Sequence, residues 1–182
     1  PENLSLQKHV QDVLIIPDRQ DSMDNDGIKS AVQKYGAVYT NFYIDNAYYS
    51  STTNSYYYSG SYGTNHAVDI VGWDDSYDKN KFTHVPPGNG AFIVRNSWGS
   101  DWGDDGYFYV SYYDSQMGKN VNTVFTAENT NNYKNIYQYD PLGWIGDYGY
   151  TPTGWCANIF TAKSDEILKA VSFYTTDSNC KY

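Results

Sequence analysis

Two apolar stretches, residues 67–73 (AVDIVGW) and 91–95 (AFIVR), flank one polar loop at 74–90. Both are too short for a buried helix and rich in β-branched and aromatic residues, so they read as strands. Strands adjacent in sequence usually pair. An antiparallel pairing that brings Trp73 near Ala91 sets His66 opposite residue 98 and Val68 opposite Asn96. Cross-strand and diagonal Cβ atoms then lie roughly 5–8 Å apart. Parity agrees: His66, Val68 and Ile70 share one face of their strand, and Phe92, Val94 and Asn96 share one face of theirs. An imidazole and a carboxamide are therefore expected to converge at one end of a hairpin.

That convergence has a chemical use. A carboxamide oxygen accepts from one imidazole N–H and fixes the tautomer and ring orientation without a full negative charge. The second ring nitrogen is left to take a proton from a thiol. Trp98, two residues beyond Asn96, is placed to shield the hydrogen bond from water.

The rest of the chain predicts an α+β fold. Residues 9–17 read as a strand stopped by Pro17, followed by an Asp-rich loop. Ile28, Ala31, Val32 and Tyr35 recur at helical spacing, which predicts a short helix over 27–35, with Asp26 as N-cap and Gly36 as its end. Residues 37–44 and 107–113 are further strands, and 46–64 a long Tyr- and Ser-rich loop. Near residue 130 the run Asn129-Thr130-Asn131-Asn132 reads as a linker, giving domains at 1–130 and 131–182. Beyond it lie strand candidates at 135–139, 157–162 and 167–175.

Composition narrows the function classes. With 182 residues the chain can bury a core without metal or disulfide staples. Twelve Lys and Arg against 21 Asp and Glu leave a net charge of −9, which repels a phosphate backbone, so no nucleic-acid partner is expected. No apolar run approaches the ~18 residues of a membrane span. The polar, Tyr-rich surface suits an extracellular or cell-surface protein. Cys156 and Cys180 could form a disulfide in an oxidising compartment or remain two buried thiols.

Several segments have a bland reading beside a functional one. The loop from Ser22 to Gly27 has Ser22 and Gln33 where an EF-hand needs Asp and Glu, so no metal is called there. Asp74, Asp75 and Asp78 suit a solvated turn better than a cation site, and no cofactor is called for. Tyr56-Tyr57-Tyr58 could stack on a carbohydrate, although aromatics packed over a sheet are commoner. His9 and His84 read as surface or strand residues.

Asn65-His66-Ala67-Val68-x-Ile70-Val71-Gly72 and Asn96-Ser97-Trp98-Gly99, followed by Trp102-Gly103-x-x-Gly106-Tyr107, resemble the histidine and asparagine segments of the papain family of cysteine peptidases. Val13-x-x-Ile16-Pro17, Lys29-Ser30-Ala31-Val32 and Gly36-Ala37-Val38 resemble the stretch leading into that family's β-domain. The resemblance implies an antiparallel papain-like β-domain with one short helix, with His66 as general base, Asn96 as its orienter and Trp98 as the shield. It also places Asn41 beside a substrate pocket, together with Asn65 and Ala67, and implies a peptide or protein substrate. The family's nucleophile lies upstream in a Cys-Gly-x-Cys-Trp type segment, whereas no cysteine precedes His66 here. A partner segment or chain carrying that cysteine is expected, and this chain by itself is expected to lack peptidase activity. From about residue 131, Asn135-Ile136-Tyr137-Gln138-Tyr139-Asp140 and Trp155-x-Ala157-Asn158-x-Phe160 resemble the start of a lectin-like domain, which implies truncated β-sandwich strands and a carbohydrate partner. The alternative is a catalytically inactive surface-binding or adhesion protein on a peptidase scaffold.

Overall fold

The computed structural model describes residue 5, residues 7–139 and residues 153–174. The chain divides into two compact units, Val10–Ala127 and a second made of Pro1–His9 with Glu128–Tyr182.

Eight strands, β1 (His9–Ile16), β2 (Val38–Phe42), β3 (Tyr49–Ser50), β4 (Ser55–Tyr56), β5 (His66–Asp74), β6 (Ala91–Arg95), β7 (Tyr107–Ser111) and β8 (Asn122–Glu128), form one sheet. Their order is β1-β8-β2-β5-β6-β7-β4-β3. The β5–β6 hairpin keeps the expected register at its functional end, with Asp69 opposite Arg95 and Ile70 opposite Val94. Beyond Ile70 the register slips by one, so Trp73 faces Phe92 and Ala91 meets Asp74. Val71 is the extra residue of a β-bulge, which adds local twist.

Helix α1 (Asp26–Tyr35) starts one residue earlier than the periodicity predicts, with Asn25 at its N-cap, so Asp26 is the first helical residue and not the cap. Gly36 ends it at φ 94°, its N–H reaching the Val32 carbonyl at 2.7 Å. Left-handed backbone of this kind is cheap only for glycine. The helix buries Ile28, Ala31 and Val32 in the core that Val38, Phe42, Ile70, Phe92, Val94, Phe108 and Val110 build beneath the sheet. Tyr56, Tyr57 and Tyr58 are buried as well, which removes the carbohydrate-stacking reading of that run.

Two loops are tied down by polar groups. The buried Arg19 donates to the carbonyls of Met117 (2.9 Å), Tyr112 (2.8 Å) and Ser22 (3.1 Å), with its guanidinium 4.9 Å from the centre of the Phe92 ring. The buried Asp114 accepts from the N–H groups of Tyr58, Gln116 and Met117 at 2.8–3.0 Å. The acidic loops spend their carboxylates on turns: Asp21 accepts from the Met23 and Asp24 N–H groups, Asp74 from Ser76 and Asp78 from Asn80. Asp75 pairs with Lys29 at 2.5 Å and accepts from the Tyr112 hydroxyl.

In the second unit, residues 129–139 and 153–174 carry no strand. The strands expected at 135–139 and 157–162 are absent, as is the expected 167–175 strand over its described residues, while 175 lies outside them. A strand needs a neighbour for its backbone groups and a face to bury, and residues 153–174 are exposed throughout. Side chains make the local contacts instead: Tyr139 stacks on Phe160 at 4.8 Å, and its hydroxyl donates to the Ile159 carbonyl at 2.7 Å. Cys156 is an exposed free thiol and so is not held in a disulfide; Cys180 lies outside the described residues.

Candidate active site

His66 opens β5, and Asn96 follows the last residue of β6. Because Asp69 already faces Arg95, continuing the ladder by one diagonal step brings the two side chains together on the core-facing side. His66 Nε2 and Asn96 Oδ1 are 2.9 Å apart. The same Oδ1 accepts the Ser97 N–H at 2.8 Å, so it is the amide oxygen and His66 Nε2 carries the donated proton. Nδ1 of neutral His66 is then an open lone pair, with no hydrogen-bond partner among the described residues.

Asn96 is only 3% exposed, and its Nδ2 has no partner among the described residues. Its backbone N–H is secured by the Gly106 carbonyl at 2.9 Å, which fixes the side chain's starting point. Trp98 covers the other side of the imidazole, ring centres 4.9 Å apart and planes 33° from parallel. It remains 48% exposed, held edge-on by Trp102 at 5.0 Å. Trp102 in turn stacks on Tyr49 and meets Phe108 edge-on, both at 5.1 Å, so the Trp-Gly-x-x-Gly-Tyr turn anchors the indole that faces His66. Phe42 supports the imidazole from the core at 5.8 Å.

A hollow of about 280 Å³ begins at His66 and is lined by Asn41, Thr64, Asn65 and Ala67. Asn41 is the cross-strand partner of Ala67. The Asn65 side chain is mostly committed elsewhere: it accepts the Ile44 N–H at 2.8 Å and donates to the Ile44 carbonyl at 3.0 Å. It acts as a clamp on the chain leaving β2. A second hollow, also of about 280 Å³, shares Ala67 and continues to Asp69, Arg95 and Tyr39. Asp69 escapes a reading by motif; the signal in the sequence is one carboxylate inside the apolar run AVDIV. His84 packs its ring against Tyr48 at 5.1 Å, and His9 lies at the start of β1. Among the described residues no group of three or more His, Cys, Asp or Glu side chains is arranged to hold a metal ion, and no helix is long and apolar enough to cross a membrane.

Comparison with known proteins shows the family. A sequence profile described as papain family cysteine protease matches residues 5–127, and one described as lectin like domain matches residues 136–182. Cathepsin B-like CP3 of Giardia intestinalis is 35% identical over 98 residues, covering 53% of this chain and 29% of its own. Cathepsin B-like protease 1 of Arabidopsis thaliana is 32% identical over 131 residues, covering 70% of this chain and 30% of its own. The chain thus spans less than a third of the length of these relatives. Among solved structures, the cysteine protease and lectin-like domains of Cwp84, a surface layer associated protein of Clostridium difficile, match with a TM-score of 0.64 at 31% identity, covering 74% of this chain and 29% of that one. With the profile spanning most of its residues, the chain belongs to the papain family of cysteine proteases, and a lectin-like segment follows.

Proposed function

We propose that this chain carries the base and orienting amide of a cysteine peptidase whose nucleophilic thiol comes from a polypeptide segment outside these 182 residues. The observation that carries the reading is the 2.9 Å bond from His66 Nε2 to Asn96 Oδ1, which leaves Nδ1 open, with no hydrogen-bond partner among the described residues. Nδ1 would take the proton of an approaching thiol, forming a thiolate–imidazolium pair. The thiolate would attack the scissile carbonyl, and His66 would return the proton to the leaving amine. Water, deprotonated by the same imidazole, would then cleave the acyl-enzyme. Asn96 keeps the ring in plane through both proton transfers, and Trp98 limits water at the hydrogen bond.

The substrate is a peptide or protein, and Asn41, Asn65 and Ala67 border the hollow that receives it. Residues 1–130 form the peptidase β-domain, and residues 131–182 the beginning of a lectin-like domain that contacts carbohydrate. The likeness to a surface layer associated protein supports a cell-surface location. Alone, the chain has no peptidase activity, because no cysteine lies upstream of His66.

The test is reconstitution with the upstream segment of the full reading frame, assayed on a generic peptide with and without a thiol-directed inhibitor. Inhibitor-sensitive turnover that is lost in His66→Ala is expected. Turnover unaffected by His66→Ala, or a serine or glycine at the nucleophile position upstream, would overturn the reading in favour of a binding protein on a peptidase scaffold.

A further inference from the structure

We propose that the hollow beside β5 lined by Ala67 and Asp69 receives a basic side chain of the peptide, Lys or Arg, and that the Asp69 carboxylate holds its cationic head. The inference rests on the peptidase reading, because Ala67 also lines the hollow at His66, and it names the substrate class of that site.

Three observations carry it. Ala67 lines both this hollow and the one at His66. From His66 to Asp69 is three residues, roughly 10 Å of strand. Tyr39, Ala67 and Val68 give the hollow its apolar lining, and Asp69 is the carboxylate in it, beside Arg95, Asn96 and Ser97. An apolar wall ending in a charge suits a side chain with a methylene stem and a cationic tip.

Asp69 is unpaired. Its carboxylate has no hydrogen bond or ion pair among the described residues. It is partly buried, and that desolvation pushes its pKa above the usual carboxylate range. The carboxylate keeps contact with solvent, so a cation arriving from outside can reach it.

The nearest internal candidate is turned away. Arg95 is the cross-strand partner of Asp69, yet the pair makes no ion contact. The Arg95 guanidinium lies 4.5 Å from the centre of the Tyr107 ring, and its Nη1 donates to the Asp105 carbonyl at 3.4 Å. Arg95 lines the same hollow, but its guanidinium is engaged on the β7 side, which leaves the acid there without a counter-charge. A partly desolvated charge discriminates against a neutral isostere, because the isostere leaves that charge unpaired.

The experiment needs neither the thiol nor turnover. The 182-residue chain, labelled with ¹⁵N, is titrated with N-acetyl-lysine N-methylamide and with the norleucine analogue that lacks the ammonium group. The lysine probe should shift the amides of residues 67–69 and 95–97, with half-saturation at least fivefold lower than the norleucine probe. Asp69→Asn should bring the two probes within twofold of each other, and Asp69→Ser should do the same if the asparagine variant disturbs the fold. Raising the salt from 50 to 500 mM should shrink the wild-type preference. Equal affinity for both probes in wild type, or a lysine preference that survives both variants, would overturn the proposal and assign Asp69 to Arg95. Because binding is read directly, loss of the peptidase reading through an inert His66→Ala result is distinguishable from loss of this one.

Discussion

The indole of Trp98 lies over the imidazole of His66 at 4.9 Å while staying half exposed, so one face of the indole meets the site and the rest meets solvent. Removing it should open the His66–Asn96 hydrogen bond to water without removing either partner. In the reconstituted enzyme, Trp98→Ala is expected to lower kcat/KM by the equivalent of about 0.5–1.5 kcal/mol, the net worth of one hydrogen bond. Steady-state kinetics with an unchanged melting curve would check this; a loss as large as that of His66→Ala would contradict it.

Asn96→Ala should cost more than the tryptophan change and less than His66→Ala, since it removes orientation and keeps the proton carrier. Its effect should fall on kcat, with KM little changed, because Asn96 is buried behind the ring. Asn96→Gln, which keeps an amide oxygen on a longer stem, should recover part of the loss. Full activity in Asn96→Ala would dismiss the orienting role.

Gly103 sits at φ 67°, and a Cβ there would lie 2.4 Å from the Tyr107 carbonyl oxygen. Backbone cannot yield as a flexible side chain does, so Gly103→Ala should destabilise the fold by more than about 1 kcal/mol. The strain would also move Trp102, which buttresses Trp98. Thermal unfolding by circular dichroism is the measurement, and an unchanged melting temperature would refute the expectation.

Burial of the Asp114 carboxyl raises its pKa from 3.8 to about 6 in the fold, against three N–H donors that pull the other way. An acid whose pKa is higher folded than unfolded contributes stability below its unfolded value and loses it as pH rises through the folded value. That contribution should therefore fall between pH 4 and pH 7, by about 3 kcal/mol for a rise of this size. Asp114→Asn cannot titrate. The difference in stability between wild type and Asp114→Asn, measured by urea denaturation, should shift toward the variant across that window. A difference that is flat with pH would count against the raised carboxyl.

Phe92 is fully buried beneath the sheet, edge-on to Tyr112 at 4.8 Å and below the Arg19 guanidinium. Phe92→Ala should cost about 3–5 kcal/mol through lost burial and the cavity left behind. Phe92→Leu should cost less, and a value under 1 kcal/mol for the alanine change would mean that the core refills.

Much of the site was legible because it depends on local pattern. Alternation within 66–70 and 92–96 assigns the faces, and adjacency along the chain makes those two segments partners, so the meeting of His66 with Asn96 needs no distant contact. The bulge at Val71 was not legible, since a one-residue slip leaves no local mark when both neighbours are apolar. Strand β8 also escaped notice. NTVFTAE alternates weakly, and it becomes a strand by pairing with β2, more than eighty residues earlier. The tyrosines 56–58 could be read as a stacking surface, although packing over the sheet is commoner, and β4 pairing in parallel with β7 decided for core.

By itself the sequence determined β1, β2, β5, β6 and β7, the helix with its glycine stop, and the approach of one imidazole to one carboxamide, because side-chain period and short connections dictate these. The tertiary structure alone decided that the Asn65 amide clamps Ile44, that Arg95 turns to Tyr107, and that Asp69 is left without a counter-charge. Those outcomes depend on which of several competing partners lies nearest once distant segments have closed on one another, and neither periodicity nor spacing encodes that distance.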